Sequence, residues 1–139
     1  MKVKTTNFSV YTEGNTELID ITDKVNQQLR EVGFSEGNVL VFVPGSTAGI
    51  TTIEYEPGLI QDYPQFFEKI IPSNQTYHHN ETWHDGNGHS HVRASLQGNS
   101  ITVPFAGGKL LLGTWQQIIL IDFDIRSRQR NIITQFIGE

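Results

Sequence analysis

The stretch Ser100–Ile137, SITVPFAGGKLLLGTWQQIILIDFDIRSRQRNIITQFI, decides the fold class. Ser100–Phe105, Lys109–Leu112, Trp115–Phe123 and Arg130–Ile137 each read as a strand, with many β-branched residues bounded by Gly and polar breaks. Ala106-Gly107-Gly108 between the first two is a hairpin signal. In the third run Gln117, Ile119, Ile121 and Phe123 oppose Gln116, Ile118, Leu120 and Asp122, so both faces are partly apolar. That pattern predicts a central or interface strand and argues for oligomerisation. Consecutive strands without intervening helices exclude an alternating βαβ plan.

Upstream, residues 2–12 (KVKTTNFSVYT) predict a strand, Glu13-Gly14-Asn15 a turn, and residues 16–21 a returning strand. Ile21, Val25, Leu29 and Val32 form one apolar stripe, which predicts a helix over 22–32 closed by Gly33. Asn38–Val43 (NVLVFV) reads as a buried strand, broken by Pro44-Gly45-Ser46, and Ala48–Tyr55 as another. Leu59–Ile71 carries Leu59, Tyr63, Phe66, Phe67 and Ile70 at helical spacing, with Pro64 expected to split it. Residues 72–90 hold few aliphatic side chains and predict a long polar loop, a feature that is often functional. His89–Leu96 predicts a short helix closed by Gly98. The sum is an α+β domain over residues 1–139, with largely antiparallel strands and a few helices.

Composition narrows the function. Fifteen acidic against ten basic residues give a net charge of −5, which argues against nucleic acid as a partner. The absence of cysteine excludes disulfides, thiolate catalysis and Cys-type zinc sites. No apolar run is long enough to span a membrane, and the polar start predicts no secretory signal, so a soluble cytoplasmic protein is expected.

All five histidines, His78, His79, His84, His89 and His91, fall within fourteen residues, interleaved with Glu81, Asp85 and Asn87. Imidazole and carboxylate suit zinc or a similar ion, and imidazole moves protons near neutral pH. The alternative is a solvated polar loop, with His78 and His84 as the first bystanders. His89, His91, His79 and Asp85 are the candidate metal ligands. On one helix His89 and His91 would point about 200° apart, so they share an ion only if His89 precedes the first turn. Asp85 and Asn87, flanked by Gly86 and Gly88, either aim oxygens at the same point or make local turn bonds. Pro44–Gly49 (PGSTAG) lacks a P-loop lysine. Its amides at Ser46 and Thr47 either cradle a phosphate or form a tight turn. Glu54 ends a strand beside Tyr55, and Trp115 is expected in the core or an interface. Arg126, Arg128 and Arg130 alternate on one face of an extended chain. They form either a phosphate-recognising patch or a charged protective edge.

Four segments carry a resemblance: PGSTAGITTIEYEPG (44–58), YHHNETWHDGNGHSHVRASLQGNSITVP (77–104), GGKLLLGTWQQIILIDFD (107–124) and RSRQR (126–130). Together they resemble the YjbQ-type family, known as secondary thiamine-phosphate synthases, over nearly the whole chain. The resemblance implies an α+β fold, a two-layer antiparallel β-sandwich with a few helices, that assembles as a homotrimer with sites near subunit boundaries. It implies a weak activity joining hydroxymethylpyrimidine pyrophosphate to thiazole phosphate with release of pyrophosphate. The family's Tyr-x-His falls on Tyr77 and His79, its Asn and His four residues apart on Asn87 and His91. Its strand-end Glu falls on Glu54 and its Gly-Thr-Trp-Gln on Gly113 to Gln116. His79, His91, Glu54 and Asn87 are then the catalytic candidates, with Ser46, Thr47, Arg128 and Arg130 meeting phosphate oxygens. One departure stands out: many members carry His after the proline, where this chain has Gly45, and His89 is the candidate to compensate. Magnesium suits pyrophosphate chemistry but prefers oxygen ligands, whereas a His-rich site suits zinc or another transition ion. The competing expectation is a metal- or small-ligand-binding trimer without turnover.

Overall fold

A computed structural model describes all 139 residues. The elements are β1 (Lys2–Thr12), β2 (Glu17–Asp20), α1 (Thr22–Val32), β3 (Glu36–Phe42), β4 (Ala48–Ile53) and α2 (Pro57–Ile70). They continue with α3 (His78–Trp83), α4 (Gly88–Gln97), β5 (Ser100–Ala106), β6 (Lys109–Leu110), β7 (Gln117–Asp122) and β8 (Arg128–Gly138). One sheet has five strands in the order β1-β8-β3-β5-β6, and the other has three, β2-β7-β4. Every pairing is antiparallel. The α+β reading therefore holds.

The alternation along β7 organises the layers. Ile118 and Leu120 point toward the five-stranded sheet and pack with Val39, Val41, Phe105, Ile132 and Phe136. Ile119, Ile121 and Phe123 point the other way, onto Phe67 and Ile71 at the end of α2, Ala94 of α4 and Leu18 of β2. The small sheet is thus covered by the large sheet on one face and by helices on the other. Both apolar faces of β7 are filled inside one chain, so its pattern is explained without a partner. The alternation along β7 is therefore no sign of oligomerisation.

Other expectations are corrected. Residues 72–90 are not one loop: α3 fills the middle and α4 begins at Gly88. Pro64 does not split α2, which starts at Pro57 and runs unbroken to Ile70. Glu56 caps that helix by accepting from the Gly58 and Leu59 N–H groups. Trp115 precedes β7 and is 71% exposed, so it is not a core residue. β8 lies between β1 and β3, which removes the protective-edge reading of its arginines. α1 matches its stripe, with Val25 and Leu29 buried and Gly33 closing it in the left-handed conformation.

Candidate functional site

One cleft of about 380 Å³ draws on six separate parts of the chain. The β3–β4 turn gives Gly45, Ser46 and Thr47, α3 gives His79 and Trp83, and the α3–α4 link gives Asp85 and Asn87. His91 comes from α4, Asp124 from the end of β7, and Arg128 and Arg130 from β8. Only Trp83 is hydrophobic among these. The lining therefore suits a small polar or charged molecule.

The floor is a charge network. Arg130 is buried and grips Asp122 with two parallel bonds, Nε to Oδ2 and Nη2 to Oδ1, both 2.8 Å. Its Nη2 also donates to the Thr47 hydroxyl at 2.7 Å, which donates onward to Asp124 at 3.3 Å. Arg128 holds Asp124 through Nε at 2.9 Å and Nη2 at 2.8 Å. Neither arginine's Nη1 has a partner in the chain, so each keeps donors for a ligand. At Gly45, whose φ is +133°, an added Cβ would lie 3.0 Å from Arg130 Nη1. Glycine there keeps that guanidinium edge uncovered.

Above the floor runs a relay. Asn87 donates through Nδ2 to Asp124 at 3.2 Å, and its Oδ1 lies 3.1 Å from His79 Nε2. The carboxylate fixes the amide's orientation, the amide then presents an acceptor, and His79 carries its proton on Nε2. Asn87 stands at the N-cap of α4, yet its side chain makes no capping bond. The amide is committed to Asp124 and His79, forgoing a cap of about 1 kcal/mol. The His79 and His91 rings meet at 4.2 Å between centroids. Burial, then the His79 charge, pushes the His91 imidazole below its ordinary value, against the pull of Asp85 and Asp124. The shift favours the neutral imidazole, the form that accepts a proton. Burial pushes the Asp124 carboxyl up, but bonds from Asn87, the Ile125 N–H and Arg128 outweigh that and hold it at about 2.

Asp124 is also gripped from behind. Gly14, Asn15 and Thr16 are all left-handed, at φ of +91°, +58° and +62°. A β-branched residue seldom accepts that conformation, so Thr16 is strained and β2 begins only at Glu17. The Asn15 N–H donates to the Asp124 carbonyl at 2.6 Å. Buried Arg93 donates through Nη1 to the Thr16 hydroxyl at 3.0 Å and binds Glu68 and the Ile71 carbonyl with its other nitrogens.

Of the predicted site residues, His79, His91, Asn87, Asp85, Ser46, Thr47, Arg128 and Arg130 come together in the cleft. His89 does not: it sits on the buried side of α4 facing Tyr77, with Nδ1 unpartnered. Both it and His91 lie within α4, so the 200° divergence applies, and His89 neither joins the ligand group nor replaces a side chain at Gly45. Glu54 follows the far end of β4, about 20 Å along the strand from Thr47, and is exposed. It takes no part in the cleft of its own chain. His78 and His84 face solvent. Arg126 is exposed outside β8 and apart from the two cleft arginines.

The sequence reading missed Asp122 and Asp124. Their signal was available: two acids two apart end an apolar strand, and arginines two apart follow four residues later. As for a metal, the donors have the chemistry of a transition-ion site, and Asp85 Oδ1 is buried without a hydrogen-bond partner, 3.5 Å from His79 Nε2. Yet no three His, Asp or Glu side chains are arranged to hold an ion within this chain. The residues present do not form a complete ligand set.

The comparisons with known proteins agree with this architecture. Residues 6–139 match the family described as UPF0047 protein YjbQ-like. A UPF0047 protein of Archaeoglobus fulgidus is 41% identical over 126 residues, covering 91% of this chain and 96% of that protein. The UPF0047 protein YugU of Bacillus subtilis is 35% identical over 84% of this chain and 87% of its own. Among solved structures, an Aeropyrum pernix hypothetical protein superposes with a TM-score of 0.91 at 34% identity, covering 98% of this chain and 99% of that one. A YjbQ/UPF0047 protein of Clostridium acetobutylicum gives 0.87 at 38% identity, covering 95% and 99%. With that span and identity, the chain belongs to the UPF0047 YjbQ-like family.

Proposed function

We propose that the cleft binds a small phosphorylated molecule and supports a pyrophosphate-displacing coupling of the thiamine-phosphate synthase type, in a cytoplasmic homotrimer. The observation that carries this reading is the pairing of two free guanidinium edges with the Asp124–Asn87–His79 relay and a His91 shifted toward its neutral form in one polar cleft. In such a reaction the donor's carbon–oxygen bond breaks and its electron pair leaves with pyrophosphate. The protein's main task is to neutralise that leaving group. The Nη1 groups of Arg128 and Arg130 and the backbone amides around Ser46 and Thr47 are the groups for it. The trimer rests on the family resemblance, and the cytoplasmic setting on the reading of the sequence. Glu54 would act only if another subunit carried it to the cleft.

A second reading is a metal- or ligand-binding trimer without turnover, favoured by the unpartnered Asp85 oxygen. Zinc or another transition ion would take at most two of His79, His91 and Asp85 from this chain and draw its remaining ligands from the bound molecule or a neighbouring subunit. Magnesium fits less well, with one free carboxylate oxygen and two imidazoles on offer. Pyrophosphate release from hydroxymethylpyrimidine pyrophosphate and thiazole phosphate separates the readings. Turnover lost in His79→Ala and His91→Ala supports the first. No release above that of His91→Ala overturns it. Metal content of untagged protein that is high in the parent and lost in both variants supports the second.

A further inference from the structure

A second cavity of about 160 Å³ adjoins the cleft, and Gly45, Ser46 and His91 line both. The rest of its wall differs in chemistry. Ala48 at the start of β4 and Ala94 on α4 give it width, and Ser95 and Asn99 give it hydrogen-bonding groups. His91, Ala94 and Ser95 share one face of α4, at the spacing that stacks side chains on a helix. The Ser95 hydroxyl donates back to the His91 carbonyl at 2.9 Å, which leaves its oxygen lone pairs free to accept. No lysine, arginine or carboxylate lines this chamber. At about 30 Å³ per water it has room for a polar group of roughly five heavy atoms.

The chamber's walls are fixed by close packing. Gly49 abuts the end of α4 so tightly that a Cβ there would lie 2.8 Å from Gln97 Cγ and 2.9 Å from the Gly98 carbonyl. The Val43 N–H donates to the Asn99 carbonyl at 3.0 Å and holds the opposite rim. The space is thus set by backbone contacts, with His91 between an ionic compartment and a neutral one.

Two chambers meeting at one imidazole suit two reactants. A phosphorylated second reactant would meet no lysine or arginine in this lining, only His91, serines, Asn99 and alanines. Coupling to a thiazole nitrogen also leaves no proton for a base to remove, whereas an alcohol or amine does. We propose that the second chamber takes a neutral, hydrogen-bonding acceptor, an alcohol or amine, which meets the phosphorylated donor at His91. This rests on the pyrophosphate-displacing reading and departs from it in the acceptor. The acceptor oxygen or nitrogen bonds to the donor carbon as the carbon–oxygen bond to pyrophosphate breaks. The electron pair leaves with pyrophosphate, and the acceptor's proton passes to His91.

Amide spectra of the ¹⁵N-labelled full chain test this with three probes: inorganic pyrophosphate, glycerol and glycerol 3-phosphate. Pyrophosphate moving the Gly45 and Arg128 amides supports the donor cleft, and no movement there counts against that reading alone. Glycerol, with or without pyrophosphate, is expected to shift the Ser95 and Asn99 amides saturably. With pyrophosphate present, glycerol 3-phosphate is expected to leave them in place. Ser95→Leu fills the chamber and should weaken the glycerol response about tenfold, the scale of one lost hydrogen bond. Unmoved β1 and β8 amides report that this variant folds. The proposal is overturned if glycerol gives no saturable shift at Ser95 and Asn99. It is equally overturned if glycerol 3-phosphate moves them as strongly as glycerol.

Discussion

Asn87 shows how one side chain can serve a site at the expense of its own helix. Asn87→Ala deprives Asp124 of a donor and His79 of an acceptor, and should cost about 1–3 kcal/mol in urea denaturation. A merely structural role would stop there. As a positioning residue, Asn87 also sets the proton on Nε2, so imidazole ¹⁵N shifts should report one tautomer of His79 in the parent and a mixture in the variant. Asp124 gives a second test. Its folded value of about 2 lies below the ordinary 3.8, so its stabilisation is complete above about pH 4 and lost as the pH falls through 2. Denaturation midpoints in that window should drop, and Asp124→Asn should flatten the slope while lowering stability at neutral pH. His91 and His89 act with the same sign higher up: burial lowers both, so the unfolded chain binds protons more readily. Stability should therefore decline as the pH falls below about 6.5. The alternating arginines were legible in the sequence, whereas the matching spacing of Asp122 and Asp124 was masked by the apolar run that they end.

Among the elements, those with an apolar period were legible and those without one were not. α1 carries Val25 and Leu29 to the core, and its limits followed from that stripe and Gly33. α3 buries no residue, and its six residues, HHNETW, give periodicity nothing to detect. It forms because neighbouring contacts hold it: the Gly88 N–H donates to Asn80 Oδ1 at 2.9 Å, and Gly88 lets α4 start against Tyr77. A Cβ at Gly88 would lie 2.4 Å from Tyr77 Cβ, an overlap that only a shift of α3 or α4 relieves. Gly88→Ala is therefore expected to separate the stacked imidazoles, seen as loss of contacts between the His79 and His91 ring protons. Retained ring contacts would show that the helices absorb the methyl elsewhere. The histidine cluster itself was visible from composition, but which rings converge depends on α3. Hence His79 and His91 face each other, while His89 turns inward.

At the scale of the molecule, the antiparallel α+β plan was legible because strand signals dominate the C-terminal third. The division into two sheets was implied only by the family resemblance, since pairing between distant strands leaves no local mark. Assembly is a separate question, now that β7 is covered on both faces by its own chain. Light scattering should give a mass three times the 15.7 kDa chain at micromolar concentration. A monomer would count against the trimer and leave Glu54 outside any site. β7 has a further consequence. Amide exchange should be slowest along this strand, which anchors Asp122 and Asp124, and fastest in α3, which buries nothing. The anionic base of the cleft would then outlast brief local unfolding that swings the His79 wall aside. Ligand could enter through that opening without any loss of the global fold.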